Sequence, residues 1–137
     1  MNRQQLQQLS EVRLNEARSL LAAGLPDGAY YLAGYAIECA LKACIAKRTQ
    51  EHDFPDKKQV NESHTHNLAE LMRLSNLAAK FQIAFQSNPS LQNQWKTVQE
   101  WSEASRYWRW GLADAEELLE AIEGVSGGIL PWMQLHW

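Results

Sequence analysis

The sequence is poor in cysteine, carries no excess of basic residues, and has no stretch that alternates between apolar and polar side chains. Its two cysteines, Cys39 and Cys44, lie on one predicted helix and point in different directions. This arrangement excludes a disulfide scaffold and fits a reducing cytoplasm. A net charge of -3 gives no broad attraction to nucleic acid or anionic lipid, which leaves only a local basic patch for such contacts. Without period-two alternation, no sheet is predicted.

The start and the length of the chain suggest a simple organisation. No positively charged, apolar leader precedes the first polar helix, so we expect no signal peptide. A length of 137 residues fits one domain of ordinary size, which we assign to residues 1–137.

The longest apolar stretch runs from Asp27 to about Gln50 and predicts the central helix. A helix that is apolar on nearly every side is normally buried in a core or in a membrane. Glu38 and Lys42 interrupt the stretch, so we predict a core helix and no membrane span. The spacing of these two residues also suits an ion pair within the helix.

The remaining predicted helices each have one apolar stripe and would pack around the central one. Ser63 or Thr65 would cap the third helix, and Ser90 the fourth. Short connections between long helices favour antiparallel neighbours, so the predicted fold is all-α, an up-and-down bundle of four to five helices. The other predicted segments are the helices Asn2–Ala23, His66–Phe85, Ser90–Tyr107 and Asp114–Val125, an exposed loop Glu51–His64 and an apolar tail Ile129–Trp137.

Histidines and cysteines can be reactive, but two pairs of them in this sequence have an ordinary structural explanation. His64 and His66 form an H-x-H pair, but no further metal ligand stands at a supporting spacing, so we predict a solvated helix start and no metal site. Cys39 and Cys44 have no adjacent base in an apolar helix, and we predict that both thiols are inert.

Glu38 is less easily explained, because a carboxylate among apolar neighbours is costly to desolvate unless it is paired. Lys42 is the local partner, and Arg106 is a distant one on another helix. The pairing would form either a structural salt bridge between helices or a polar pocket in the bundle.

The segment from Arg106 to Trp110 interleaves two arginines with three aromatic residues. Arginine binds phosphate through two parallel hydrogen bonds, and aromatic rings stack on bases, so the pattern is typical of a nucleotide or RNA platform. The alternative is that the aromatic residues are core and interface anchors whose arginines extend to solvent. Trp132 and Trp137, at the end of the chain, hint at a partner or dimer surface.

Several motifs together resemble the HEPN (higher eukaryotes and prokaryotes nucleotide-binding) domains of prokaryotes. They are A-R-x-L-L at Ala17–Leu21, G-A-Y-Y-L-A-G-Y-A-I-E-C-A-L-K-A at Gly28–Ala43, H-N-L-A-E-L at His66–Leu71 and W-S-E-A-S-R-Y at Trp101–Tyr107. The resemblance implies a helical bundle that usually forms a homodimer. It also implies a gene often found beside a minimal nucleotidyltransferase, in toxin–antitoxin or defence-like pairs.

Many HEPN proteins are metal-independent ribonucleases whose motif is an arginine followed, after four to six residues, by a histidine. The arginine corresponds to Arg106, but the histidine is absent, because Gly111, Leu112 and Ala113 occupy the expected positions. The chain therefore lacks the acid–base group that this motif supplies for attack by a 2′-hydroxyl.

The resemblance and the missing histidine together predict a nucleotide- or RNA-binding module without catalytic residues, metal or cofactor. Arg106 would hold phosphate, Tyr107 and Trp110 would stack or shape the pocket, and Glu38 would orient Arg106. Arg109 and Lys42 complete the predicted binding site. The predicted partners are a second copy of the chain, a minimal nucleotidyltransferase, and nucleotide or RNA. A divergent HEPN ribonuclease toxin and a structural dimerisation module are the two alternatives.

Overall fold

The protein is all-helical in the computed structural model, which describes residues 1–51, 57–124 and 127–137. This architecture confirms the predicted all-α bundle. The α-helices of these residues are α1 (Arg3–Ala22), α2 (Pro26–Glu51), α3 (Lys57–Glu62), α4 (Leu68–Leu74), α5 (Ala78–Ser87), α6 (Pro89–Gln99), α7 (Leu112–Glu123) and α8 (Ile129–Gln134), and a 3₁₀ helix spans Glu103–Tyr107 between α6 and α7.

The central helix is α2, and most other elements are built on it. Helix α1 packs along its length, and α7, α4, α8 and the 3₁₀ helix contact its other sides. One face of α2 is formed by completely buried alanines that let a neighbouring helix approach closely, namely Ala29, Ala33, Ala36 and Ala40. Cys39 and Leu41 lie on other sides of α2 and are buried as well, so α2 is a core helix. Among the described residues, none of the helices is long and apolar enough to cross a membrane.

The predicted third helix is divided into α4 and α5, which corrects the continuous helix expected over His66–Phe85. Asn76 has a φ of 62°, in the left-handed region, directly after the C-terminal cap of α4 at Ser75. Asparagine adopts this conformation more easily than most residues and commonly ends a helix there. The apolar periodicity continues across the break, which is why periodicity alone predicted a single helix.

Helix ends also differ from the predicted caps. Asn67, rather than Ser63 or Thr65, caps α4, because its side chain accepts a hydrogen bond from the backbone N–H of Glu70. Pro89 begins α6, where its missing N–H costs nothing, and the hydroxyl of Ser90 donates to Asn88.

The predicted fourth helix ends early, at Gln99, and the predicted loop Glu51–His64 contains α3. After α6 the chain turns so that Trp101 is buried against α2, and only then forms the 3₁₀ helix that carries Arg106. Residues 52–56 of the predicted loop, and the predicted helix end at Val125, lie outside the described residues.

The C-terminal tryptophans pack on their own chain rather than forming a bare surface. Trp132 meets Phe81 edge to face with ring centroids 4.7 Å apart, and the backbone carbonyl of Trp137 accepts a hydrogen bond from Gln7. Both side chains lie against the core and are partly buried. A partner surface at these residues is therefore limited to the part of each side chain that stays exposed.

Candidate functional site

Glu38 is a buried carboxylate in the middle of α2, only 2% exposed. Its Oε1 lies 2.6 Å from Nδ1 of His66, and its Oε2 lies 3.8 Å from Nζ of Lys42. The ion pair with Lys42 is the one that the sequence predicted. Because both oxygens face a cationic or hydrogen-bonding group, the cost of burying the charge is offset within the site.

His66 precedes α4 and connects Glu38 to the 3₁₀ helix. While its Nδ1 faces Glu38, its Nε2 lies 3.4 Å from Oε2 of Glu103. An imidazolium that donates from both nitrogens would satisfy both carboxylates at once. The side chain is 45% exposed, so the ring forms part of the surface as well as part of the link.

Arg106 lies at the exposed end of this link. Its Nη1 is 3.4 Å from Oε1 of Glu103, and its guanidinium lies over the ring of Tyr107, 4.8 Å from the centroid. Desolvation acts to lower the pKa of Arg106, but the neighbouring Tyr107 and Tyr31 side chains and the charge of Glu103 outweigh it and raise the pKa. Arg106 is therefore a permanent cation with a fixed surrounding of polar groups.

We name this row of side chains the polar relay. In order of contact it consists of Lys42, Glu38, His66, Glu103 and Arg106, with alternating basic and acidic groups. Tyr107, 75% exposed, extends it into solvent. The relay joins side chains from α2, the segment before α4, and the 3₁₀ helix.

The polar relay contains three of the predicted site residues, namely Glu38, Lys42 and Arg106, and a fourth, Tyr107, adjoins its outer end. The predicted action of Glu38 on Arg106 is indirect in this arrangement, because His66 and Glu103 lie between them. Sequence reasoning missed both intermediates. His66 was considered only as a metal ligand, although it begins the H-N-L-A-E-L motif. Glu103 lies three residues before Arg106 in the W-S-E-A-S-R-Y motif and was not considered.

The other two predicted residues, Arg109 and Trp110, are placed elsewhere, at the start of α2. Arg109 pairs with Asp27 at 2.8 Å and is 93% exposed. Trp110 stacks on Tyr30 with ring centroids 3.7 Å apart and donates its indole N–H to the backbone carbonyl of Ser105. The face of the Trp110 ring that meets Tyr30 is therefore occupied, so this residue anchors the chain after the 3₁₀ helix.

A cavity of about 500 Å³ lies beside Glu38, between the start of α1 and α2. Its wall is mostly apolar but includes Tyr35, Glu38, Lys42 and His64. A concave, largely apolar space with a few polar groups is typical of a small-molecule site. Glu38 thus borders both the polar relay and a cavity large enough for a nucleobase.

Cys39 and Cys44 are buried, and burial raises the pKa of each thiol to about 12. A thiol is nucleophilic only as thiolate, so neither cysteine is fit for catalysis. Over residues 1–51, 57–124 and 127–137, no group of three or more His, Cys, Asp or Glu side chains is arranged to hold a metal ion.

Alkylation of the native protein with iodoacetamide at pH 8 is expected to be slow. Relative to a thiol of pKa 9.0, a pKa of about 12 lowers the thiolate fraction roughly 1,000-fold, and burial also blocks access. Mass spectrometry would follow the reaction in buffer and in urea. Rapid labelling of either cysteine in buffer would contradict the buried placement.

The fold and the relay define a class of protein, namely an all-helical bundle whose central helix contributes a buried acid to an arginine-bearing surface. The family model of the HEPN domain matches residues 4–127. The chain therefore belongs to the HEPN domain family. Comparisons with curated proteins and with solved structures found no match.

Proposed function

We propose that the protein is a non-catalytic nucleotide- or RNA-binding module that uses the outer end of the polar relay. The observation that carries the proposal is the exposed pair of Arg106 and Tyr107, which is tied to the core through Glu103, His66 and buried Glu38. Arg106 would hold a phosphate, and Tyr107 would stack on the adjoining base. Membership of the HEPN family supports this assignment.

Preorganisation is the physical reason for choosing this end of the relay. A free arginine side chain loses conformational entropy when it binds, and a guanidinium already held by Glu103 and Tyr107 loses less. The planar guanidinium matches a phosphate through parallel hydrogen bonds. Because the chain has a net charge of -3, binding depends on such local contacts rather than on a general positive field.

The partners proposed with this function are a second copy of the chain and a minimal nucleotidyltransferase, acting in the cytoplasm in a toxin–antitoxin or defence-like pair. The support is the habit of HEPN proteins to form homodimers and to be encoded beside such enzymes. Light scattering that reports a monomer at micromolar concentration would contradict the dimer. A neighbouring nucleotidyltransferase gene would support the pair.

Arg106→Ala is expected to weaken binding of labelled single-stranded RNA or nucleoside triphosphate by roughly 10- to 100-fold. This range corresponds to losing one hydrogen bond to a charged group, about 1.5–3 kcal/mol. Fluorescence anisotropy would measure it. Arg18→Ala removes an exposed arginine that pairs with Glu123 outside the site and is the matched control. Equal binding by wild type and Arg106→Ala would overturn the proposal.

A divergent ribonuclease is the second candidate function, and the position of His66 favours it. The histidine missing at positions 111–113 has a counterpart in space, because His66 reaches Arg106 through Glu103. In its neutral form His66 would take the proton of a 2′-hydroxyl. The 2′-oxygen would then form a bond to phosphorus as the bond to the 5′-oxygen breaks and that oxygen gains a proton from water.

RNA cleavage assays separate the two candidates. A pure binding module leaves RNA intact, whereas the ribonuclease gives 2′,3′-cyclic phosphate ends that disappear in both His66→Gln and Arg106→Ala. If the wild-type protein is dimeric but neither binds nor cleaves RNA, the structural dimerisation module remains as the explanation.

A further inference from the structure

A polar pocket lies at the C-terminal end of α2, away from the relay. It has a volume of about 190 Å³ and lies among the C-terminal part of α2, the turn between α4 and α5, and the end of the chain. Glu38 and Lys47 are nine residues apart on α2, so the two sites are separated by about 14 Å along the helix. The lining includes Lys47, Arg48, Lys80 and His136.

The charges around this pocket are of one sign. Among the described residues that line it there is no carboxylate, although the whole chain has a net charge of -3. No ion pair of Lys47 or Lys80 is present with the side chains of residues 1–49, 60–124 and 127–137, and Arg48 donates to the backbone carbonyl of Leu74. Lys47, Arg48 and Lys80 therefore lie around the pocket, and none of its described lining residues is a carboxylate.

The start of α5 adds to the positive electrostatic potential of this pocket. Its cap position is Leu77, which lines the pocket and has no side-chain group to accept from the first N–H groups of the helix. These N–H groups and the helix dipole favour an anion at this end. The left-handed conformation of Asn76 brings the chain from α4 into this position.

His136 lines the pocket beside the two lysines. Burial lowers the pKa of His136, and the positive charges of Lys80 and Lys47 lower it further. The imidazole therefore responds to both lysines, which makes it an internal probe of any anion that enters the pocket.

We propose that this pocket binds a phosphate group, with Lys47 and Lys80 as its donors and the start of α5 beside it. The group is either a backbone phosphate of RNA or a phosphate of a free nucleotide. The proposal stands on the geometry of this pocket and does not rest on the function proposed for the polar relay.

Proton NMR of the histidine side chains, assigned with His136→Gln, tests the proposal with inorganic phosphate as the probe. Phosphate is expected to raise the pKa of His136, since it would place negative charge beside an imidazole that faces Lys47, Lys80, Arg48 and Cys44. Lys80→Gln is expected to raise the pKa without phosphate and to weaken phosphate binding roughly tenfold. An unchanged His136 titration in wild type with phosphate would overturn the proposal.

Lys96→Gln is the matched control, because it removes the same charge from an exposed lysine on α6. It should leave both the pKa of His136 and its response to phosphate as in wild type. A phosphate response of Lys80→Gln equal to that of Lys96→Gln would count against the site.

Titrations with adenosine triphosphate and with a short single-stranded RNA distinguish the sources of the phosphate. A response of His136 at lower RNA concentration than nucleotide concentration assigns the pocket to an RNA backbone, and the reverse order assigns it to a free nucleotide. Repeating the inorganic phosphate titration in Arg106→Ala keeps the two proposals separate. A response that persists there supports this pocket whether or not the relay binds RNA, and loss of the response would contradict its independence.

Discussion

Gly34→Ala is expected to destabilise the protein by about 3 kcal/mol or more, at the upper end of the cost of overpacking a core. A Cβ at this position would lie 2.2 Å from the indole atoms Cγ and Cδ1 of Trp101. Neither group can move easily, because α2 is buried on several sides and Trp101 is only 3% exposed. Urea denaturation followed by circular dichroism would measure the change.

Gly28→Ala is the matched control on the same helix. Its new Cβ would meet only the end of the flexible Leu20 side chain, at 3.0 Å, and alanine favours the helix by about 1 kcal/mol. We therefore expect a small effect of either sign. If Gly34→Ala were as stable as Gly28→Ala, Trp101 would not pack against α2 as described. Adding Trp101→Leu should recover part of the stability that Gly34→Ala loses.

The close contact at Gly34 also matters for function. Trp101 precedes the 3₁₀ helix by two residues and fixes where that helix begins on α2. Arg106 and Tyr107 lie on this helix, so a shift of Trp101 would move the proposed phosphate-binding pair. Weaker RNA binding by Gly34→Ala, measured at a temperature where it is still folded, is the expected consequence.

The sequence predicts the parts of the fold that depend on local pattern. Apolar composition identifies α2 as the core helix, and the four-residue spacing of Glu38 and Lys42 predicts an ion pair that the structure contains. The breaks at Asn76 and at Trp101 were missed because the apolar period continues through both. Periodicity records which side chains are buried, and carries little information about where the backbone turns.

The site is less predictable for a related reason. Burial of a lone carboxylate indicates that Glu38 needs a partner, but the partner nearest to it, His66, is 28 positions away. Such a contact is set by how α4 packs on α2, which no local pattern encodes. The segment from Arg106 to Trp110 was likewise predicted as one binding site, but tertiary packing separates its residues. Arg106 joins the relay, whereas Trp110 stacks on Tyr30.

His66→Ala is expected to cost about 2–4 kcal/mol of stability. The substitution leaves the 2%-exposed carboxylate of Glu38 with Lys42, at 3.8 Å, as its remaining ion-pair partner among the described residues. A buried charge that loses its hydrogen-bonding partner is among the most costly defects in a protein core. Thermal and urea denaturation would both report the loss. His64→Ala, two residues earlier and exposed, is the matched control and should stay within about 0.5 kcal/mol of wild type.

The combination of His66→Ala with Glu38→Gln distinguishes a broken pair from a simple loss of packing. The neutral amide is less costly to bury than a carboxylate, so the double variant should be more stable than the sum of the single effects, with a coupling energy of about 1–3 kcal/mol. Strict additivity would show that Glu38 and His66 do not act as a pair. Because the relay continues through Glu103 to Arg106, His66→Ala should also release Arg106 and weaken RNA binding, whereas His64→Ala should not.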